Sequence, residues 1–173
     1  MDCVNGLIID LSNHIGGSTQ NLSNFISSFF TGKKVIRYNQ DKLGRGHGDF
    51  GNKISITMQG KGYVADNVPL IILTKISTFS AGNMAAYILA DLRKCTVIGT
   101  ATSGGGGPPR VIILPNGWQL SFPYAKCFSP SGRNMEYPFE PDIYVESEKY
   151  KDLRDSILVT ALEYLDNLQT LKQ

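Results

Sequence analysis

Two apolar runs, Leu7 to Leu11 and Pro69 to Leu73, are each followed by a turn and then by apolar residues at helical spacing. Runs with so little polar alternation predict strands covered on both faces. After the first run, Leu22, Phe25, Ile26, Phe29 and Phe30 recur with helical period until Gly32 supplies a stop. After the second, Ala81, Met84, Ala85, Ile88, Leu89 and Leu92 mark one face of a helix that starts at or near Ser80. Lys34 to Tyr38 and Thr96 to Ile98 read as short strands, and Ile54 to Met58 as an edge strand. The polar, glycine-rich stretch from Asn39 to Lys53 reads as a loop. The segment RVIILPNGWQLSF predicts a hairpin with Asn116 and Gly117 as a two-residue turn, and Tyr124 to Phe128 is expected to pair beside it. Ile143 to Val145 is a brief extended piece. Asp152 to Leu168 closes the chain as a helix, with Leu153, Ile157, Ala161, Leu165 and Leu168 in register.

Strands alternating with helices, then a hairpin, then a closing helix, predict an α/β domain whose sheet is partly parallel and turns antiparallel at one side. The 173 residues suit one domain with one core, burying about 70% of the surface of the unfolded chain. Apolar residues make up 42% and charged residues 18%, as in soluble globular proteins. No apolar run approaches the roughly 20 residues that span a bilayer. The net charge of +2 comes from scattered Lys and Arg, which gives no electrostatic reason to expect nucleic acid. Cys3, Cys95 and Cys127 are odd in number and lack metal-ligand spacing, so neither a metal nor another cofactor is expected. Cys95 sits in an apolar segment and reads as a buried thiol; one disulfide stays open. The chain enters its first apolar strand within six residues of Met1 and shows no signal peptide, so residues 1–173 are expected to be one unit of a longer protein.

The chemistry is concentrated at the two turns. Ser80 stands where helix N–H groups have no partners within the helix and carry partial positive charge, a setting that suits a nucleophile forming an oxyanion. A serine there equally suits a plain helix cap. Gly16 and Gly17, in the first turn, offer a second set of amides and let a substrate backbone approach closely; the plain alternative is a tight connection with Ser18 as cap. Asp10 is expected to hold backbone amides near this turn. His14 adjoins it and His47 lies in the long loop, where each is a candidate substrate contact or a solvated residue. Ser103 is a candidate for orienting substrate or water. The run Gly104 to Gly107 lacks the Lys and Ser/Thr of a phosphate loop, and two prolines follow it.

Read together, GLIIDLSNHIGG, PLIILTKISTFSAGNMAAYILAD, VIGTATSGGGG and EYPFEPDI resemble, in order and spacing, the catalytic core of the S41 peptidases, the family of carboxy-terminal processing proteases, tricorn-type proteases and interphotoreceptor retinoid-binding proteins. The resemblance runs from about Gly6 to Val145. It implies a crotonase-like (ClpP/crotonase) α/β fold of mixed sheet with flanking helices, lacking its N-terminal part, and a serine-type peptidase acting on peptide or protein substrates. It makes Ser80 the nucleophile and puts the amides of Ala81 and of Gly16 or Gly17 in the oxyanion hole; by their places in the chain, His14, His47, Ser103 and Gly104 are candidate substrate contacts. Processing proteases of the family pair the serine with a lysine, which would align at Gly105, so that dyad is missing. The tricorn-type branch is the better match: it takes its base from an upstream histidine and has a late glutamate as support, here Glu136. An extracytoplasmic location is implied by the family alone, and assembly into oligomers is left open. Two other readings compete: a non-catalytic domain binding a peptide or an apolar ligand, and acyl-CoA chemistry on the same fold.

Overall fold

In the computed structural model, which describes residues 4–146 and 153–170, the elements in chain order are β1 (Leu7–Asp10), α1 (Thr19–Ile26), β2 (Thr31–Asp41), β3 (Ile54–Lys61), β4 (Leu70–Thr74), α2 (Ala81–Leu92), β5 (Thr96–Gly99), β6 (Pro109–Ile113), β7 (Gln119–Pro123), β8 (Ala125–Phe128), β9 (Ile143–Tyr144) and α3 (Leu153–Thr170). The two apolar runs become neighbours. β1 and β4 pair in parallel, Leu7 opposite Leu70 and Asp10 opposite Leu73, within a parallel sheet of order β1-β4-β5-β9.

Every residue of β4 is buried, and the period of two along a strand sends its side chains to opposite faces. Leu70 and Ile72 join Val97 and the apolar residues of α1 and α2 on one face; Ile71 and Leu73 join Ile98 with Ile157, Ala161 and Leu165 of α3 on the other. The single expected core is therefore divided by the sheet. α2 is buried continuously from Ala81 to Leu89 rather than along one stripe, because the segment carrying Met135 and Phe139 covers the side away from the sheet. Asn83, buried within it, donates to Met135 O at 2.7 Å and accepts from Thr102 Oγ1 at 2.6 Å, so its burial leaves no unmade hydrogen bond there.

Parallel and antiparallel pairing are both present, in separate sheets. β2 is the central strand of an antiparallel sheet of order β3-β2-β8. It runs well past the expected Lys34 to Tyr38, because partners on both sides extend the ladder, and the Lys42–Phe50 bridge carries pairing into the stretch expected to be loop. β8 pairs with β2, Tyr38 opposite Phe128, and not beside the hairpin as expected. Pro123, with no N–H to give a ladder, ends β7 and separates the two. The hairpin loop also differs from expectation. Leu114 N donates to Trp118 O at 2.8 Å and Gly117 N to Leu114 O at 2.8 Å, leaving a loop of Pro115, Asn116 and Gly117. Proline fits the first central position of such a turn, and Gly117 takes the left-handed position at φ +84°.

Cys95 and Cys127 are free thiols. Burial pushes Cys95 up to about 12, so it stays protonated at neutral pH. Cys3, Asp152 and the side chain of Leu153 lie outside the described residues. Among those described, no helix is long and apolar enough to cross a membrane.

Candidate active site

Ser80 does not cap its helix. A capping serine has extended backbone angles and accepts an amide of the first turn through its side chain. Ser18 does this for α1, at φ −66° and ψ 122°, accepting from Asn21 N at 3.3 Å. Ser80 instead has φ 53° and ψ −115°, and its side chain makes no capping bond. Among the described residues it alone has positive φ without being glycine. Such a conformation costs about 1–3 kcal/mol and persists only where its surroundings enforce it.

The enforcing bonds come from three segments. Ser80 N donates to Gly104 O at 3.0 Å, and Phe79 N to His14 O at 3.0 Å. Ser103 N donates to Thr78 O at 2.9 Å, and Thr78 Oγ1 to Leu11 O at 2.8 Å. The β1 turn, the Ser80 turn and the glycine run are thus tied together. A β-carbon on Gly16 would lie 2.7 Å from Ser80 Cβ and 3.2 Å from its Oγ, so only glycine permits this approach. Asp10 anchors the start of the first turn by accepting Ser12 N at 2.9 Å and Ser12 Oγ at 2.5 Å.

The amides at this junction divide into used and unused. Gly16 N donates to His14 Nδ1 at 3.1 Å, so this histidine braces the turn. Gly17 N and Ala81 N have no hydrogen-bond partner among the described residues; Ala81 follows Ser80 directly, and Gly17 lines the same cavity as Ser80. Two unpaired donors beside a hydroxyl are what a developing oxyanion requires.

Glu136 clamps the glycine run. Its carbonyl accepts from Gly105 N at 3.0 Å, and its Oε2 accepts from Gly106 N at 3.1 Å and Gly107 N at 2.9 Å. Gly104 and Gly105 take φ +75° and +80°. A β-carbon on the first would fall 2.4 Å from Glu136 O, and one on the second 2.4 Å from the Phe79 ring. Gly104 is buried, and its role in the geometry is to accept from Ser80 N. The Ser103 hydroxyl donates to Ile76 O.

Ser80 opens into a cavity of about 380 Å³, lined also by Gly17, Arg37, Asn39, Tyr124 and Cys127. His14 lines an adjoining hollow of about 480 Å³ with Gly16, Gly17 and Ala81. His47 and Glu136 line a third, of about 840 Å³. Of the residues expected around the serine, Gly17 shares its cavity directly, while both histidines lie in neighbouring ones. Arg37 and Asn39 were not anticipated. They stand two apart on β2 and so share a face, but along the sequence they look like the polar side of any strand. Arg37 Nε donates to Asn39 Oδ1 at 3.2 Å, and its Nη1 is buried with no partner among the described residues. Cys127, the other nucleophile type present, has its thiol pushed up by burial and stays protonated. Among the described residues, no imidazole, carboxylate or lysine lines this cavity.

Three comparisons bear on this geometry. The sequence profile of Peptidase family S41 matches residues 2–145. A carboxy-terminal-processing protease from Bartonella bacilliformis is 29% identical over 157 residues, covering 87% of this chain and 34% of that protein. The crystal structure of a peptidase candidate from Parabacteroides merdae superposes with a TM-score of 0.83 at 30% identity, over 93% of this chain and 52% of that one. The photosystem II D1 C-terminal processing protease, at 21% identity, shares the fold, with a TM-score of 0.64 over 89% of this chain and 38% of its own. The chain spans about a third to a half of the length of these proteins.

Proposed function

This chain belongs to peptidase family S41, and from that premise we propose that it carries the nucleophile and oxyanion hole of a serine-type peptidase acting on peptide or protein substrates. Ser80 Oγ attacks the scissile carbonyl carbon, and the oxygen that becomes negative accepts hydrogen bonds from Gly17 N and Ala81 N. The N-terminal end of α2 adds its partial positive charge. The serine proton passes to a base and then to the leaving amine; water hydrolyses the resulting acyl-enzyme. Each oxyanion donor of this kind lowers the barrier by about 3 kcal/mol. The observation that carries the reading is the strained, non-capping backbone of Ser80 at the start of α2.

The base is assigned to a residue outside those described, in the manner of the tricorn-type branch, since a glycine, Gly105, stands where a dyad lysine would align. Glu136 serves on this reading as the support of the glycine run rather than as a proton acceptor. Action outside the cytoplasm goes with the family and is part of the same proposal.

The test is covalent labelling of the full-length protein by a fluorophosphonate, with casein hydrolysis measured in parallel. Labelling at Ser80, with both signals lost in Ser80→Ala, supports the peptidase. The missing lysine also favours a second reading, a non-catalytic domain that holds a peptide. Full-length protein that binds peptide without labelling or hydrolysis would establish that reading and remove the first.

A further inference from the structure

The Ser80 cavity does not end at the serine. Tyr124 lines both it and the larger cavity of about 840 Å³, which makes the two neighbours along one cleft. The larger cavity is cationic: Lys42, Arg45, Arg110 and Lys126 line it against a single carboxylate, Glu136. That carboxylate is turned to the amides of Gly106 and Gly107. Asp49, in the adjoining loop, accepts from Gly46 N at 2.6 Å. The ion pair found among the described residues is Arg133 with Asp91, so none of the four cations has a carboxylate partner there.

Aromatic rings hold three of these cations, Lys42, Lys126 and Arg110, without neutralising them, and Lys42 Nζ also donates to Gly46 O. The Lys42 and Lys126 ammonium groups lie 4.8 and 4.0 Å from the centroid of the same Phe50 ring, and the Arg110 guanidinium lies 4.8 Å from that of Tyr124. Two like charges on one ring repel, and a bound anion relieves that repulsion. A concave surface lined by one sign of charge also focuses the field and concentrates the opposite ion. In a chain with a net charge of only +2, this is a local concentration of positive charge beside the nucleophile.

We propose that this cavity receives a carboxylate-bearing stretch of the peptide whose scissile bond lies at Ser80, so that the protein selects acidic segments. The inference rests on the reading of the Ser80 cavity as a peptide site. The carboxylate comes either from an Asp or Glu side chain or from the C terminus of the peptide, and the chemistry that holds it is the same.

The test is binding, measured on full-length Ser80→Ala protein by anisotropy of fluorescein-labelled, alanine-based peptides. One set carries glutamates, a matched set carries glutamines, and each is made with a free and an amidated C terminus. The glutamate peptide is expected to bind about tenfold more tightly than its glutamine counterpart, a gap that narrows with added salt. Lys126→Gln and Arg110→Gln should each remove most of that gap while leaving the melting temperature and the affinity for the glutamine peptide unchanged. A free terminus that supplies the tenfold advantage in place of the glutamates also supports the proposal and assigns the carboxylate to the chain end. Equal binding of every peptide, no binding of any, or a gap that survives both substitutions would overturn it. Failure of Ser80 to react with fluorophosphonate would count against the peptidase and leave this measurement untouched.

Discussion

Phe79 lies against Gly105 so closely that a β-carbon on the glycine would come within 2.4 Å of the ring. On the proposed reading Gly105 is also the position at which a dyad lysine would align, and its φ of +80° strains any side chain whatever the space available. On that reading, the residue preceding Ser80 lies against the position at which the lysine would align. A reversal by one substitution is opposed by the backbone angle, whereas the half-exposed Phe79 ring can turn aside.

Gly105→Lys in the full-length protein should therefore lower stability by about 1–3 kcal/mol from the backbone angle alone, with no gain in Ser80 labelling. Adding Phe79→Ala removes the contact and leaves the strain, so the double variant is expected to recover part of the melting temperature and none of the reactivity. Thermal unfolding together with fluorophosphonate labelling checks both halves. A rise in labelling with either variant would show that a lysine can serve from this position after all.

The strain at Ser80 leads to a second expectation. Ala keeps the β-carbon that makes φ 53° unfavourable, whereas Gly does not. Ser80→Gly should be more stable than Ser80→Ala by about 1 kcal/mol, even though glycine usually destabilises through the entropy of the unfolded chain. Urea unfolding of the two variants measures the difference directly. Equal stabilities would mean that the bond from Ser80 N to Gly104 O does not hold the residue in a strained state.

The two glycines of the first turn separate contact from strain. Gly16 and Gly17 have φ of +112° and +146°, so alanine is disfavoured at both, but a β-carbon on Gly16 would strike Ser80 while one on Gly17 would meet nothing within 4 Å. Comparable losses of stability, about 1–3 kcal/mol each, are expected from the two alanine variants. Loss of Ser80 labelling should be much the larger for Gly16→Ala. Identical labelling would place the nucleophile further from this turn than the geometry has it.

How far the sequence carries depends on whether a feature is local. The strand-turn-helix around Ser80 and the glycine turn after Leu11 were legible because apolar runs, glycines and helical spacing are short-range signals, and the S41 resemblance assembled from them is borne out by the family profile. Whether Ser80 caps the helix was not legible. The residues that follow it, Ala81, Gly82 and Asn83, suit either conformation, and the choice is made by Gly104 O and His14 O, carbonyls distant in the chain. The partner of β8 was hidden for the same reason, since periodicity identifies a strand but not its neighbour. Arg37 and Asn39 were invisible as site residues because only the packing of β2 against the Ser80 turn distinguishes them from an ordinary polar face.

Asp91 positions Glu136 from behind. Burial alone would raise the pKa of Asp91. Hydrogen bonds from Ser129, Ser131 and Arg133 outweigh that, and its carboxyl is held below the ordinary value of 3.8. Ser131 N lies 2.9 Å and Arg133 Nη2 2.6 Å from its oxygens, so Asp91 fastens α2 to the segment that continues into Glu136 and thence to the amides of Gly106 and Gly107. A carboxyl with a depressed folded-state pKa contributes stability that is fully present above the unfolded value and is lost as pH falls through the folded one. Asp91→Asn should cost about 1–2 kcal/mol at neutral pH, the lower part of the range for a charged hydrogen bond because Arg133 is 46% exposed and screened by water. That difference from the wild type should hold steady down to about pH 4, then shrink and vanish in stronger acid, where the native carboxyl is protonated as well. Ser80 labelling at neutral pH should fall along with it, since slack in the Glu136 segment is passed to the glycine run that supports Ser80 N. Urea titrations of both proteins across this range read the first effect. A difference that stays unchanged however far the pH is lowered would mean that the carboxylate's charge contributes nothing to holding this segment.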